Sequence, residues 1–216
     1  MELVSIVTPN DTHVPIAKAA LAEGFHVISD KPAARDLEEV LELKAVVEAS
    51  DKLYALTHTY LGYPLVKEAR HLVAAGEIGK VRKIYVEYPQ GWLSTLLEAG
   101  GQKQADWRTD PARSGPSGCM GDIGTHAETL AEYVMGDRIA SVCADLSIFV
   151  EGRKLDDDGA VLFRTAGGAK GVLTASQVCN GEENNLNIRV YGETGGLEWH
   201  QPVSYTHLTL PTMFEV

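Results

Sequence analysis

The chain has 216 residues, 44% of them hydrophobic and 23% charged, with a formal net charge of −11. Such a composition belongs to a globular protein of one large or two small domains. The acidic balance speaks against nucleic acid and anionic membrane surfaces as partners, and no apolar run approaches the ~18 residues of a membrane span.

The first 75 residues alternate between strand and helix signals. Residues 3–8, LVSIVT, read as a β-branched strand that stops at Pro9-Asn10-Asp11. Thr12 is expected to cap a helix running to Gly24, and residues 25–29 form the next strand. Asp36 is expected to cap a long helix whose Leu37, Val40, Leu41, Leu43 and Val47 recur at helical spacing. Residues 53–57 make a third strand, and residues 64–75 another helix closed by Gly76. This rhythm predicts parallel βαβ units of the doubly wound kind.

After Gly79 the pattern changes. KVRKIYVEYPQ alternates like a long strand with one exposed face, and residues 91–121 read as a long loop. Residues 122–135 are expected to be helical. Runs at 138–150, 158–166, 169–179 and 186–192 then predict an antiparallel meander, with turns at DDDG, AGGAKG and NGEEN. The predicted fold class is therefore α/β: a partial doubly wound domain over residues 1–60, followed by an α+β domain with an open, mainly antiparallel sheet over 61–200.

Three strand ends carry polar clusters: Thr8 to His13, Ser29-Asp30-Lys31-Pro32, and Thr57-His58-Thr59-Tyr60. Each alone could be a capped turn. Three in succession point to a shared cleft, because open α/β sheets bind ligands beyond the carboxyl ends of their strands. Asp122 and His126, four apart, lie on one helix face. Either Asp122 is an N-cap with His126 merely exposed, or a carboxylate and an imidazole address one substrate; Gly118, Gly121 and Gly124 allow close backbone approach to a ligand. Trp107 and Arg108 either anchor the long loop or line a polar pocket. With no HExxH and no CxxC, no metal site is expected. Cys119, Cys143 and Cys179 form no disulfide framework, which with Glu2 in place of a basic leader suggests the cytoplasm.

Four stretches together resemble one family: TPNDTHVPIAKAALAEGFHVISDKP, THTYLGYPLVKEARHLVAAGEIGKV, DWR and GDIGTHAETLAEYVMG. In order and spacing they are similar to the Gfo/Idh/MocA family, which includes glucose–fructose oxidoreductase and inositol dehydrogenase. The resemblance implies a Rossmann domain binding NAD or NADP, then an open-sheet domain that covers the nicotinamide and joins subunits into a homo-oligomer. It makes Lys31, Asp122 and His126 catalytic. Thr8, Pro9, Asn10, His13, Asp30, Lys31 and Thr59 become cofactor contacts, and Tyr60, Trp107 and Arg108 substrate contacts. The family's Glu-Lys-Pro is Asp30-Lys31-Pro32 here, with a cis Lys31–Pro32 bond expected, and its Asn-Tyr-Arg is Thr59-Tyr60-Leu61.

The implied reaction is hydride transfer between the cofactor and a secondary hydroxyl of a sugar, inositol or related polyol. In it His126 is the base and Lys31 stabilises the developing oxyanion. A redox-neutral, NAD-dependent glycosidase and a silent sugar-binding regulator are the alternatives. The family's Gly-rich turn is not found before residue 3, so the chain reads as an internal fragment, inactive and weak in dinucleotide binding by itself. Residues 201–216 match nothing in the family and read as a non-native tail.

Overall fold

The computed structural model describes residues 2–201 and 208–209. Strands β1 (Leu3–Ile6), β2 (His26–Asp30) and β3 (Tyr54–Thr57) form a parallel sheet in that order. Helices α1 (His13–Ala22) and α2 (Leu37–Ala49) connect them. Ile6, Val14, Ala17, Leu21, Val27 and Leu43 interlock as a first core, drawn entirely from this part of the chain.

Asp36 caps α2 as expected, its carboxylate accepting from the Glu39 amide at 2.9 Å. Thr12 does not cap α1. A 3-10 turn over Asn10–Thr12 leads into that helix, and the Thr12 hydroxyl donates to the Pro9 carbonyl at 2.7 Å instead. The predicted apolar face of α2 divides in two. Leu43 is buried, with Val40 and Val47 packed against the core, while Leu37 and Leu41 are 71% and 55% exposed. Positions 37 and 41 share one side of the helix and 40, 43 and 47 another, so one sheet face can cover only the second set.

Helix α3 (Pro64–Ala74) already belongs to a second core. That core sits on a seven-stranded sheet made of β4 (Lys83–Pro89), β5 (Ile139–Ser147), β6 (Asp158–Thr165), β7 (Lys170–Ser176), β8 (Asn187–Tyr191), β9 (Gly196–His200) and β10 (Leu208–Thr209). The order is β10-β9-β8-β4-β7-β6-β5. β5, β6 and β7 form the predicted meander, but the meander does not continue into β8. β4 inserts between β7 and β8 and runs parallel to β7, the sheet's one parallel pair among the described strands. Its Ile84, Val86 and Tyr88 are buried at every second position, which lets it serve as a central strand. The sequence expectation for residues 201–216 falls outside the described residues, apart from Gln201 and the backbone of β10.

Residues 91–121, expected as loop, contain helices α4 (Lys103–Arg108) and α5 (Pro111–Ser114). Each is too short to show a helical period. Their starts carry side-chain caps, Gln102 accepting from the Ala105 amide and Asp110 from the Ala112 amide. Helix α6 (Thr125–Met135) is preceded by one wide π turn, Met120–Gly124, so the helical segment starts earlier than predicted.

The turn joining β8 to β9 presses on the end of the α3 segment. A Cβ on Gly192 would lie 1.9 Å from the Ile78 carbonyl oxygen, which also accepts from the Thr194 amide at 3.0 Å. Backbone on both sides leaves nothing free to move. Gly192→Ala is therefore expected to destabilise the fold by about 1–3 kcal/mol, read as a lower urea midpoint at unchanged slope.

Candidate active site

The three parallel strands deliver their polar ends to one edge. Beyond β1, Thr8, Pro9 and Asn10 turn along the rim, and the Asn10 amide donates to the Ser114 carbonyl at 3.1 Å, tying the rim to α5. Asp30 ends β2 and Lys31 follows it; the Lys31–Pro32 bond is cis, and the Thr57 hydroxyl donates to Asp30 Oδ1 at 2.6 Å. Beyond β3 come Thr59 and Tyr60. These residues line a cleft of about 580 Å³, closed on the far side by Trp107 and Arg108 of α4 and by Asp122 and His126.

A second compartment of about 390 Å³ adjoins it, walled by Tyr88, Gln90, Trp92 and Asn184. Both compartments share Lys31, Tyr60, Arg108, Asp122 and His126. The three residues that the resemblance made catalytic thus stand where the compartments meet. Trp107 lines the first compartment and not the second. Its ring carries the Arg108 guanidinium, 4.1 Å from its centroid.

Lys31 reaches Asp122 across 91 positions of sequence. Its Nζ donates to Asp122 Oδ1 at 2.7 Å and makes a short bond to the Asp122 carbonyl. Asp122 Oδ2 accepts from Gln177 Nε2 at 3.0 Å and lies 3.4 Å from Arg108 Nε. Burial pushes the Asp122 carboxyl upward, but Lys31 and Arg108 outweigh it and hold the group below the usual carboxylate range. His126 goes the other way. Burial, with the Lys31 charge adding to it and Asp122 only partly opposing, pushes its imidazole down to about 3. The ring is gripped edge-on by Tyr60, centroids 4.7 Å apart, with Tyr88 at 6.2 Å.

A hydrogen-bonded chain runs along the second compartment. The Tyr60 and Tyr88 hydroxyls are bonded to each other, and Tyr88 donates to Asn184 Oδ1. Gln90 Nε2 donates to the same oxygen at 2.7 Å, and Trp92 Nε1 donates to Gln90 Oε1 at 3.0 Å. Burial raises the Tyr88 phenol, so its proton stays in the chain at neutral pH.

His13 is the one predicted site residue that does not reach the cleft. It is buried at 1% exposure behind the rim, its Nδ1 and Nε2 each 2.7 Å from a backbone carbonyl, those of Pro32 and Thr8. It ties the β1 and β2 ends together. Sequence reasoning missed Tyr88, Gln90 and Trp92, although a signal existed: positions 88, 90 and 92 continue the two-residue period of β4 past its end. Gln177 and Asn184 carry no such mark.

The His126 shift has a consequence for stability. A histidine held at about 3 in the folded chain, but near its ordinary value when unfolded, binds more protons unfolded, so its contribution is complete above about pH 6.5 and is lost as pH falls toward 3. His58, lowered by burial and by Lys31, acts in the same sense; Glu128, raised by burial, opposes it but less strongly. The urea midpoint of the chain is expected to drop steadily from pH 6.5 to pH 4, and in His126→Asn to drop less.

Residues 66–198 match the model of the GFO/IDH/MocA C-terminal domain, and residues 1–58 match that of the oxidoreductase family's NAD-binding Rossmann fold. The chain belongs to the GFO/IDH/MocA family. It is 34% identical to an uncharacterized oxidoreductase, YfiI, of Bacillus subtilis (strain 168), over 92% of this chain and 51% of that one. It is 28% identical to levoglucosan dehydrogenase of Pseudarthrobacter phenanthrenivorans, over 91% and 55%. Its fold is similar to that of an inositol dehydrogenase homolog from Azotobacter vinelandii complexed with NAD+, with a TM-score of 0.92 and 35% identity over 100% of this chain and 56% of that one. The chain spans about half the length of these GFO/IDH/MocA relatives. Among the described residues no helix is long and apolar enough to cross a membrane, and no group of three His, Cys, Asp or Glu side chains could hold a metal ion.

Proposed function

We propose that the whole protein is an NAD(P)-dependent dehydrogenase of a secondary hydroxyl on a sugar, inositol or related polyol. The observation that carries this reading is the meeting of Lys31, Asp122 and His126 at the junction of two compartments.

The first compartment suits the nicotinamide end of a dinucleotide. Its rim offers the hydroxyls of Thr8, Thr57 and Thr59, the amide of Asn10 and the carboxylate of Asp30, the mixture of donors and acceptors that ribose hydroxyls and a carboxamide require. Bound there, the nicotinamide supplies the hydride acceptor as an alcohol becomes a carbonyl.

The chain's own residues handle the proton and the charge. An ammonium has three N–H donors, and Lys31 spends two of them on the Asp122 carbonyl and carboxylate. The third is left for a substrate oxygen, where it stabilises developing negative charge. His126 is neutral at physiological pH and free to take the hydroxyl proton. Tyr60 and Tyr88 fix its ring, and Asp122 fixes Lys31. Away from Lys31 and Arg108, which are both paired with Asp122, the second compartment is walled by the neutral phenol, amide and indole groups of Tyr88, Gln90, Trp92 and Asn184, which suits a polyhydroxyl substrate.

The glycosidase and sensor alternatives gain no specific support from this geometry. The test is to supply the whole protein with NAD+ or NADP+ and myo-inositol, levoglucosan and simple sugars. Reduced cofactor appearing with at least one of them is the expected result. Release of a sugar with no reduced cofactor, or no turnover at all, overturns the reading.

At the edge of the sheet, β5 exposes Val142 and Leu146 on one face and β6 exposes Leu162 on the other, and a second copy of the protein packed against this edge would form a homo-oligomer. Three unpaired cysteines, Cys119, Cys143 and Cys179, favour a reducing compartment such as the cytoplasm.

A further inference from the structure

The DDDG turn of the sequence resolves into three acids with separate surroundings. Asp157 is buried, accepting from the Phe149 and Val150 amides and pairing with Arg153. Asp158 begins β6. Asp156 faces the segment that leads into the π turn. Its Oδ1 accepts from the Ser117 hydroxyl at 2.9 Å and the Gly118 amide at 2.8 Å, and its Oδ2 from the Met120 amide at 2.8 Å. Its backbone carbonyl accepts from the Cys119 amide at 2.7 Å. Four consecutive residues, 117 to 120, are thus bonded to this one aspartate.

The contact is also sterically closed. A Cβ on Gly118 would lie 2.3 Å from the Asp156 carbonyl oxygen, so only glycine lets the two backbones meet. The Met120 side chain, inside the turn, packs against two further glycines: a Cβ on Gly159 would lie 2.6 Å from its Sδ, and one on Gly124 2.9 Å from its Cε. The Asp122 amide then donates to the Gly118 carbonyl at 2.9 Å, two residues after the last bond to Asp156.

We propose that Asp156 is a positioning residue, whose carboxylate seats the turn 117–122 so that both the carbonyl and the carboxylate of Asp122 meet Lys31. Asp156 lines neither compartment. It acts by placement: Lys31 rises from the first core and Asp122 from the second, and the turn is the part whose shift would separate them. A misplacement of about 1 Å in such a set can cost on the order of 100-fold in rate.

The inference rests on the dehydrogenase reading, and the experiment separates the two. In the whole protein, NAD+ reduction is followed with myo-inositol and levoglucosan as probes. Asp156→Asn keeps the shape but turns an amide toward the Met120 N–H. It is expected to lower kcat by about tenfold or more while the KM for NAD+ stays within about twofold. The acid limb of its pH profile moves upward, because the Asp122 carboxyl is released from the cations that hold it down. The groups facing that carboxyl are Lys31, Arg108, His126 and Gln177, with Tyr88 and the Cys119 thiol also feeling its charge. Asp158→Asn removes the same charge two residues away and leaves both kcat and the limb unchanged. Should Asp156→Asn fold poorly, Asp156→Glu keeps charge and acceptors but displaces the turn by one methylene, and it too lowers kcat. No reduction of either NAD+ or NADP+ by the wild-type protein with any of the polyols and sugars named above overturns the dehydrogenase reading. An active wild type with a folded variant at position 156 that matches it in kcat and pH profile overturns the role of Asp156.

Discussion

Replacing Lys31 by alanine is expected to lower kcat for the proposed polyol dehydrogenation by the whole protein by about 10²–10³-fold, the usual cost of deleting one preorganised donor at a developing oxyanion. The cost follows from how the ammonium is held. Two of its protons are committed to Asp122, one to the carbonyl and one to the carboxylate, so the group cannot swing away and its remaining proton has a fixed direction. Alanine removes that donor and also leaves the partly buried Asp122 carboxylate with Arg108 and Gln177 alone. Arginine does not rescue the loss, because a planar guanidinium cannot reproduce the geometry of a compact ammonium. Initial rates of cofactor reduction check this. Lys31→Ala retaining more than about a tenth of wild-type activity would remove Lys31 from the proposed chemistry.

The second expected result concerns His126→Ala, a fall in kcat of about 10²–10⁴-fold. An imidazole held at about 3 is neutral at every working pH, which makes it available to accept a proton. It is also a weak base. The proposed mechanism therefore depends on Lys31 acidifying the substrate hydroxyl before His126 takes the proton, and the two residues act as one unit. The double variant, Lys31→Ala with His126→Ala, is expected to be scarcely worse than either single one, since effects within a catalytic unit do not add. Fully multiplicative losses would show that the two act independently. The wild-type profile provides a further check: its activity is expected to pass through pH 6.5 without an inflection from this residue.

Much of the architecture was legible because it is periodic. The strand and helix rhythm of residues 3–75 and the two-residue alternation of β4 each arise from one face meeting a core, and a face leaves a trace in sequence. What escaped was set by contacts distant along the chain. The place of β4 between β7 and β8 depends on pairing with residues 87 to 108 positions away, which no local pattern records. Helices α4 and α5, at six and four residues, are shorter than the period that would reveal them. At the candidate site, strand-end chemistry pointed to Asp30, Lys31 and Thr59, and four-residue spacing to Asp122 and His126. His13 lay in the same strand-end cluster, but its ring is consumed by two backbone carbonyls behind the rim. A polar residue next to a cleft and one inside it look alike until the backbone is placed.

The separation of the two hydrophobic cores has one more consequence. Lys31 stands on the smaller, Asp122 and His126 on the larger, and neither core holds a reactive set by itself. Chemistry here is a conjunction: both halves must be folded and seated before the ammonium, the carboxylate and the imidazole share one space. On the proposed chemistry, a chain with a single half formed lacks one member of the set, so partial folding would yield an inert species rather than a poorly controlled catalyst.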